Sequence, residues 1–350
     1  MRNIGISLAF VFAAALAPGM ALADKPVDRP VQKIDPALDA LVSPDAKMEV
    51  IREGYGFTEG VVWSDRGRYL LVTDMPANII YKLSPDGKQQ SVFLDHSGYT
   101  GPDIWRVGFM QTNGRDKSDP KFEEFPMIGS NGMAYDPQGR LVFCTWAGRG
   151  IDRIEKNGKR VTLTNSVDGK MFNGTNDVIV KKNGTIYFTD GYGGLRGREN
   201  DPKKGIDYSA LFMWKNGKTT RVTTDLPNTN GLALSPDEKI LYANGSRDKT
   251  IRAYDVRADD TLANSRMFFD MSKDTRPGIT DGMKVDTKGN VWESGPTGVW
   301  VISPEGKHLG TILVPELVAN VEFGDPDHKT LYIAARSSVY KIRLNVAGIP

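Results

Sequence analysis

Six residues of one kind recur along this chain. Glu59, Asn131, Asn176, Asn230, Asp281 and Asn320 each carry a side-chain oxygen and head a short apolar run. Eight residues after each comes a turn position, held by Gly67, Gly139, Gly184 and Gly289, with Glu238 and His328 in the other two copies. None of the six is His or Cys. Two carboxylates match the charge of one divalent ion, and the amides add neutral oxygens. Hard oxygen donors of this kind suit calcium, ahead of magnesium or manganese. Taken singly, an Asn or Asp before Gly reads as a turn cap. Six oxygen donors at one repeat offset read as one shared site.

The spacing says which elements must position them. Successive members lie 72, 45, 54, 51 and 39 residues apart. Between them run β-branched or alternating segments such as YLLVTD (69–74), LVFCTW (141–146), TIYFTD (185–190), ILYANG (240–245), NVWESG (290–295) and LYIAAR (331–336), parted by Gly, Pro, Asn and Asp. No stretch keeps a helical period, so the class is all-β. Several short strands per repeat of 40–50 residues predict a β-propeller, and six copies predict six blades. The residue heading each innermost strand then faces the central tunnel, where the six oxygens would hold a metal. The long first interval is one blade plus an insertion. The segment MEVIR (48–52) precedes the first copy without a blade of its own. It is expected to supply the outer strand of the last blade and so remove an open edge.

Composition narrows the partners. The 350 residues are 39% hydrophobic and 25% charged, which excludes disorder and collagen. Lys and Arg number 45 against 43 Asp and Glu, so nucleic acid is not an expected partner. One cysteine, Cys144, allows no internal disulfide and no thiolate cluster; it is expected in the core. Arg2, the apolar run Leu8 to Ala17, the breaker Pro18-Gly19 and the small-residue site Ala21-Leu22-Ala23 read as a signal peptide over 1–23. The run is too short for a membrane anchor, and no cysteine follows it to carry lipid. The mature chain is expected to be exported, to the periplasm or beyond, with no membrane span. Residues 24–46 read as an extended arm and 47–350 as the propeller.

GFTEGVVW (56–63), NDVIVKKNGTIYFTD (176–190), NGLALSPDEKILY (230–242), DGMKVDTKGNVW (281–292) and NVEFGDPDHKTLYIAA (320–335) resemble the gluconolactonase and senescence-marker-protein (regucalcin) family over residues 47–346. The resemblance implies a six-bladed propeller with one catalytic divalent metal in its tunnel. It implies lactonase activity on a small molecule; relatives include diisopropylfluorophosphatase and the paraoxonases. The family's metal ligands map to Glu59, Asn230 and Asp281, with Asn176 touching the metal site or the substrate. Two departures concern the substrate. Animal members carry arginine where this chain has Gly174, and the FTD strand is followed by GYGG rather than a proline pair.

The expected chemistry is hydrolysis of a lactone. The cation would polarise the carbonyl, and Asp281 would serve as general base on water, or else as nucleophile. Asn131, Asn176 and Asn320 would orient substrate. Two other readings stay open: a non-catalytic exported binding propeller with a structural calcium, and a phosphoester or aryl-ester hydrolase on the same scaffold. No G-x-S-x-G elbow, dinucleotide fingerprint or P-loop is present. The insertion 96–130, with Tyr99, Trp105, Phe109, Phe122 and Phe125, reads as a lid or pocket wall, or as a plain surface loop. His96 reads as a turn histidine and the second choice of base. His308 and His328 read as surface residues, and the Arg196–Arg198 loop as solvated or touching an anionic substrate.

Overall fold

Residues 29–349 are described by the computed structural model, so the signal peptide expected over 1–23 lies outside the described residues. Six antiparallel sheets surround one axis. Their innermost strands are Thr58–Ser64, Met133–Tyr135, Thr175–Val180, Thr229–Leu234, Met283–Val285 and Val318–Gly324. Each of these pairs with the strand after it, and the chain steps outward through the blade before starting the next. Among the described residues no helix is long and apolar enough to cross a membrane.

The ring closes as the orphan segment predicts. Met48–Glu53 pairs antiparallel with Ser338–Arg343 and becomes the outer strand of the sixth blade. The last blade is thus built from both ends of the propeller, and its outer edge is covered by chain that comes before the first blade.

The arm is more than extended chain. Val31–Lys33 adds a fifth strand to the fifth blade, pairing with His308–Leu313. A short 3-10 turn follows over Pro36–Ala40, capped where the Asp35 carboxylate accepts the Ala37 N–H at 2.8 Å. The turn drives Leu38, Leu41 and Val42 into the cluster that joins the fifth and sixth blades, against Trp292, Val301 and Ile333. Three apolar side chains within five residues could not stay in water at low cost. Their burial overrides the Pro- and Asp-rich composition that suggests a loose arm.

The turn position behaves as a left-handed site. Gly139, Gly184 and Gly289 have φ of 74°, 86° and 87°, and Glu238 and His328 adopt 56° and 53° without being glycine. In the first blade Arg68, not Gly67, takes this conformation, at 52°. The two exceptions bridge blades. Glu238 accepts the Lys182 N–H at 2.9 Å, and His328 Nε2 meets Asp65 at 3.0 Å. A cross-blade contact therefore offsets the backbone strain at both positions. His328 is only 15% exposed at its side chain, which corrects its reading as a surface residue. His308 is corrected likewise: its ring stacks on Trp300 at 3.9 Å, and burial holds its pKa below the usual value.

The docked arm generates a stability prediction. Leu38→Ala should cost about 2–5 kcal/mol, the range for a truncated core leucine. Urea unfolding of the two proteins measures this, and equal midpoints would show that the arm does not belong to the core.

Candidate functional site

The inner strands break their own ladders where the site residues sit. Register shifts fall between Thr58 and Val61, Thr175 and Val178, and Thr229 and Leu232. Each bulge contains a ring residue: Glu59, Asn176 or Asn230. A bulge adds a residue without a ladder partner and re-aims its side chain, here toward the axis.

The glycines beside them answer to space, not to turn geometry. A Cβ on Gly60 would stand 2.1 Å from the Asn131 carbonyl oxygen, and one on Gly231 would stand 1.9 Å from that of Asp281. Neighbouring blades press together here, backbone on backbone. In the third blade Asp177 takes the place of this glycine. Its carboxylate accepts the Val178 N–H at 2.9 Å and the Leu232 N–H of the next blade at 3.4 Å.

Second strands hold the bulges from behind. Asp190 accepts the backbone N–H of Asn173 and of Gly174, fixing the approach to Asn176. Asp74 does the same for Gly56 and Phe57, ahead of Glu59. Asn244 accepts the Gly231 N–H at 3.1 Å and donates to the Asp281 carbonyl at 2.6 Å. The Asp281 N–H in turn donates to Ser294 Oγ at 2.6 Å and to Glu293 at 3.2 Å. The repeat offset does not single out Asp177, Asp190, Asn244 or Glu293. The FTD, ANG and ESG ends of the second strands are the signal for the last three, and Asp177 is marked by standing where four other copies have glycine.

Glu59, Asn176, Asn230 and Asp281 line one cavity of about 290 Å³ on the axis. Asn131 and Asn320, expected to touch substrate, do not line it. Both flank Glu59 and draw its carboxyl toward ionisation. The Asn320 amide oxygen is already committed to the Val321 N–H at 2.9 Å, and its side chain packs where a Cβ on Gly282 would stand. Asn320 thus stands beside Glu59, outside the lining of the cavity. Asn131 is likewise buried beside Glu59.

Electrostatically the floor is unbalanced. Burial pushes the Glu59 carboxyl well up, and Asp281 and Asp177 push it further. The Asp281 carboxyl is raised by burial and then by Asp177. Glu59 Oε2, Asp281 Oδ1, Asn230 Oδ1 and Asn131 Oδ1 are buried without a hydrogen-bond partner. Buried polar atoms are almost always satisfied, so four orphaned oxygens around one axis call for a donor or a cation. Among the described residues no three Asp, Glu, His or Cys side chains cluster as a metal site. The donors that do converge are two carboxylates supplemented by amides, a set that fits a hard cation.

Part of the cavity wall is apolar, and the wall comes from several blades. Phe57, Met75 and Trp146 line it, and the insertion brings Phe109, Gln111 and Met127. The insertion thus forms pocket wall. It carries the hairpin Met110–Thr112 with Glu124–Pro126 and hydrogen-bonds to the Gly-rich loop, from Gly108 to Gly194 and from Phe109 to Gly193. That loop must be glycine, since a Cβ on Gly193 would stand 2.0 Å from the Trp146 ring. Gly174 is equally confined: a Cβ there would stand 2.3 Å from the Gly194 nitrogen, so an arginine has no room. His96 lies on the surface, its side chain 65% exposed beside Asp95, and Cys144 is buried in the core.

A six-bladed propeller with an oxygen-lined axial pocket defines the class, and comparison with known proteins names the family. Residues 57–337 match the SMP-30/Gluconolactonase/LRE-like region, and the chain belongs to that family. It is similar to the gluconolactonase of Zymomonas mobilis, 30% identical over 328 residues, covering 91% of this chain and 87% of that protein. A solved gluconolactonase from Xanthomonas campestris superposes with a TM-score of 0.73 at 28% identity, covering 94% of this chain and 99% of the other. Regucalcin of Danio rerio is 36% identical over 208 residues, 56% of this chain and 62% of that one.

Asp190 carries a pH prediction. Burial pushes its carboxyl up to about 7, against the pull of its backbone donors. A raised folded-state pKa means a stability contribution that is complete below the unfolded value near 4 and lost as pH rises through about 7. Asp190→Asn removes the titration, so wild type should lose stability relative to the variant between about pH 4 and pH 7. Melting curves across that range check it; a gap that stays constant with pH would contradict it.

Proposed function

We propose that this protein is a divalent-cation-dependent lactonase, with calcium the favoured ion. The observation that carries the reading is the convergence of orphaned buried oxygens from Glu59, Asn230 and Asp281 on the floor of one pocket. Membership of the family supports the activity, and relatives from Zymomonas mobilis and Xanthomonas campestris bear the name gluconolactonase. The pocket volume suits a small ring molecule rather than a polymer.

Glu59, Asn230 and Asp281 would hold the cation, with Asn176 beside them. Once bound, the cation would supply Lewis acidity toward an ester carbonyl. The residues of the chain do the rest. Phe57, Met75, Phe109 and Trp146 present apolar faces to the ring and keep bulk water out. The Asn176 amide reaches the cavity from the third blade and orients polar groups on the ring. Asp281 accepts a proton from the attacking water as its oxygen bonds to the carbonyl carbon. The ring carbon–oxygen bond then breaks, the same proton passes to the leaving oxygen, and an open hydroxy acid results. Asn244, Ser294 and Glu293 hold the Asp281 backbone, so the carboxylate need not reorganise during the step.

The two carboxylates separate in experiment. Glu59→Gln should weaken cation binding, and part of the lost turnover should return at high calcium. Asp281→Asn keeps an oxygen of similar size but removes the base, so turnover should stay down by roughly a hundredfold or more even at saturating calcium. The assay is opening of glucono-δ-lactone and a small lactone panel, followed by pH indicator. Failure of wild type with calcium to open any of them would sink the lactonase reading. Full recovery of Asp281→Asn at high calcium would reduce Asp281 to a ligand.

A further inference from the structure

The mouth of the pocket has the opposite charge from its floor. Arg198 and Arg247 line the same cavity as Glu59 and Asp281. They arrive from different blades: Arg198 from the 3-10 turn Arg198–Asn200 in the third, Arg247 from the connection after Ile240–Gly245 in the fourth. Glu199 stands between them. Both terminal nitrogens of Arg247 donate to Glu199 Oε1, at 3.2 and 3.3 Å. Two guanidinium groups against one carboxylate leave a surplus positive charge at the rim.

Arg198 is held but not satisfied. Its guanidinium carbon lies 4.1 Å from the centre of the Phe109 ring, which fixes the plane of the group. Among the described residues its guanidinium makes no hydrogen bond or ion pair, so its N–H edge remains free. Its backbone takes φ of 50°, a left-handed conformation that a non-glycine residue adopts at a cost. Desolvation, then the neighbouring positive charge of Arg247, lower its hold on its proton, so the two cations repel. A repelling pair beside a pocket, one member braced on an aromatic ring, is arranged to receive an anion. Arginine forks match carboxylate and phosphate oxygens in pairs.

We propose that Arg198 and Arg247 form an anion-binding subsite, so that the preferred substrate is a lactone carrying a carboxylate or phosphate at the end remote from its ring ester. This rests on the lactonase reading for the reaction but not for the binding. The acidic floor would hold a cation and the ester, the cationic rim the remote anion, and the charge pattern would set one orientation in the pocket. Gln111 and Tyr192 also line the pocket and add polar groups to it.

The test compares three lactones: neutral glucono-δ-lactone, D-glucarolactone with its free carboxylate, and phosphogluconolactone with a terminal phosphate. Wild type should favour one charged lactone over the neutral one by about tenfold or more in kcat/KM, the preference shrinking in high salt. Arg198→Gln and Arg247→Gln should each cut the charged-to-neutral ratio by about the same factor. Whichever lactone is favoured identifies the anion. Equal kcat/KM for charged and neutral lactones, or a ratio unmoved in both variants, overturns the subsite and leaves the lactonase reading standing. Should no lactone be opened, the lactonase reading falls instead. The subsite is then decided by calorimetry with gluconate, glucarate and phosphogluconate in calcium: tighter binding of an acid that carries a second anionic group, lost in both variants, supports it, and equal binding rejects it.

Discussion

Like charges meeting on a dry axis are the constraint around which this molecule is organised. Glu59 and Asp281 converge from opposite parts of the chain, Asp177 stands behind both, and burial raises all three carboxyls. Lys284 offsets Asp177 and lies 3.6 Å from Glu322. Carboxylates taken out of water without a partner are costly. Protons can relieve the cost, and so can a cation. Unpartnered oxygens of Glu59, Asp281, Asn230 and Asn131 together form a donor set of the kind a hard cation takes.

The scaffold accepts this cost because it is stiff where the charges lie. Bulges aim Glu59, Asn176 and Asn230 inward, glycines let neighbouring blades approach, and the ends of second strands grip the backbone beside Glu59, Asn176, Asn230 and Asp281. Asp190 and Asp74 use carboxylates for that grip, and Asn244 uses an amide that serves two blades at once. A site built on strands braced in this way moves little when charge shifts within it. Closure of the sixth blade by Met48–Glu53 and docking of Leu38 carry the stiffness around the ring.

Much of this was legible in the sequence because a propeller repeats. One offset places Glu59, Asn176, Asn230 and Asp281 together, and the orphan strand MEVIR foretells closure. Where the repeat is silent, so was the reading. Leu38, Leu41 and Val42 belong to no repeat, so their burial was hidden beneath a Pro- and Asp-rich composition. Asn131 and Asn320 obey the repeat yet do not line the cavity: both stand against Glu59, and the Asn320 oxygen accepts the Val321 N–H. His308 and His328 sit in turn-rich segments, but a stacked indole and a cross-blade carboxylate draw them in. Arg247 and Arg198 are far apart in sequence, and only the folded loops bring them to one rim.

The central claim is that a cation belongs among Glu59, Asn230 and Asp281. An ion that binds only the folded state stabilises it by about 2.7 kcal/mol at a hundredfold excess over its Kd. For a chain of this size that is on the order of 5 °C in Tm. The decisive measurement is thermal unfolding of wild type and Glu59→Gln, each in saturating calcium and in chelator. The account predicts a clear rise with calcium for wild type and a much smaller one for Glu59→Gln. Superimposable wild-type curves with and without calcium would contradict it.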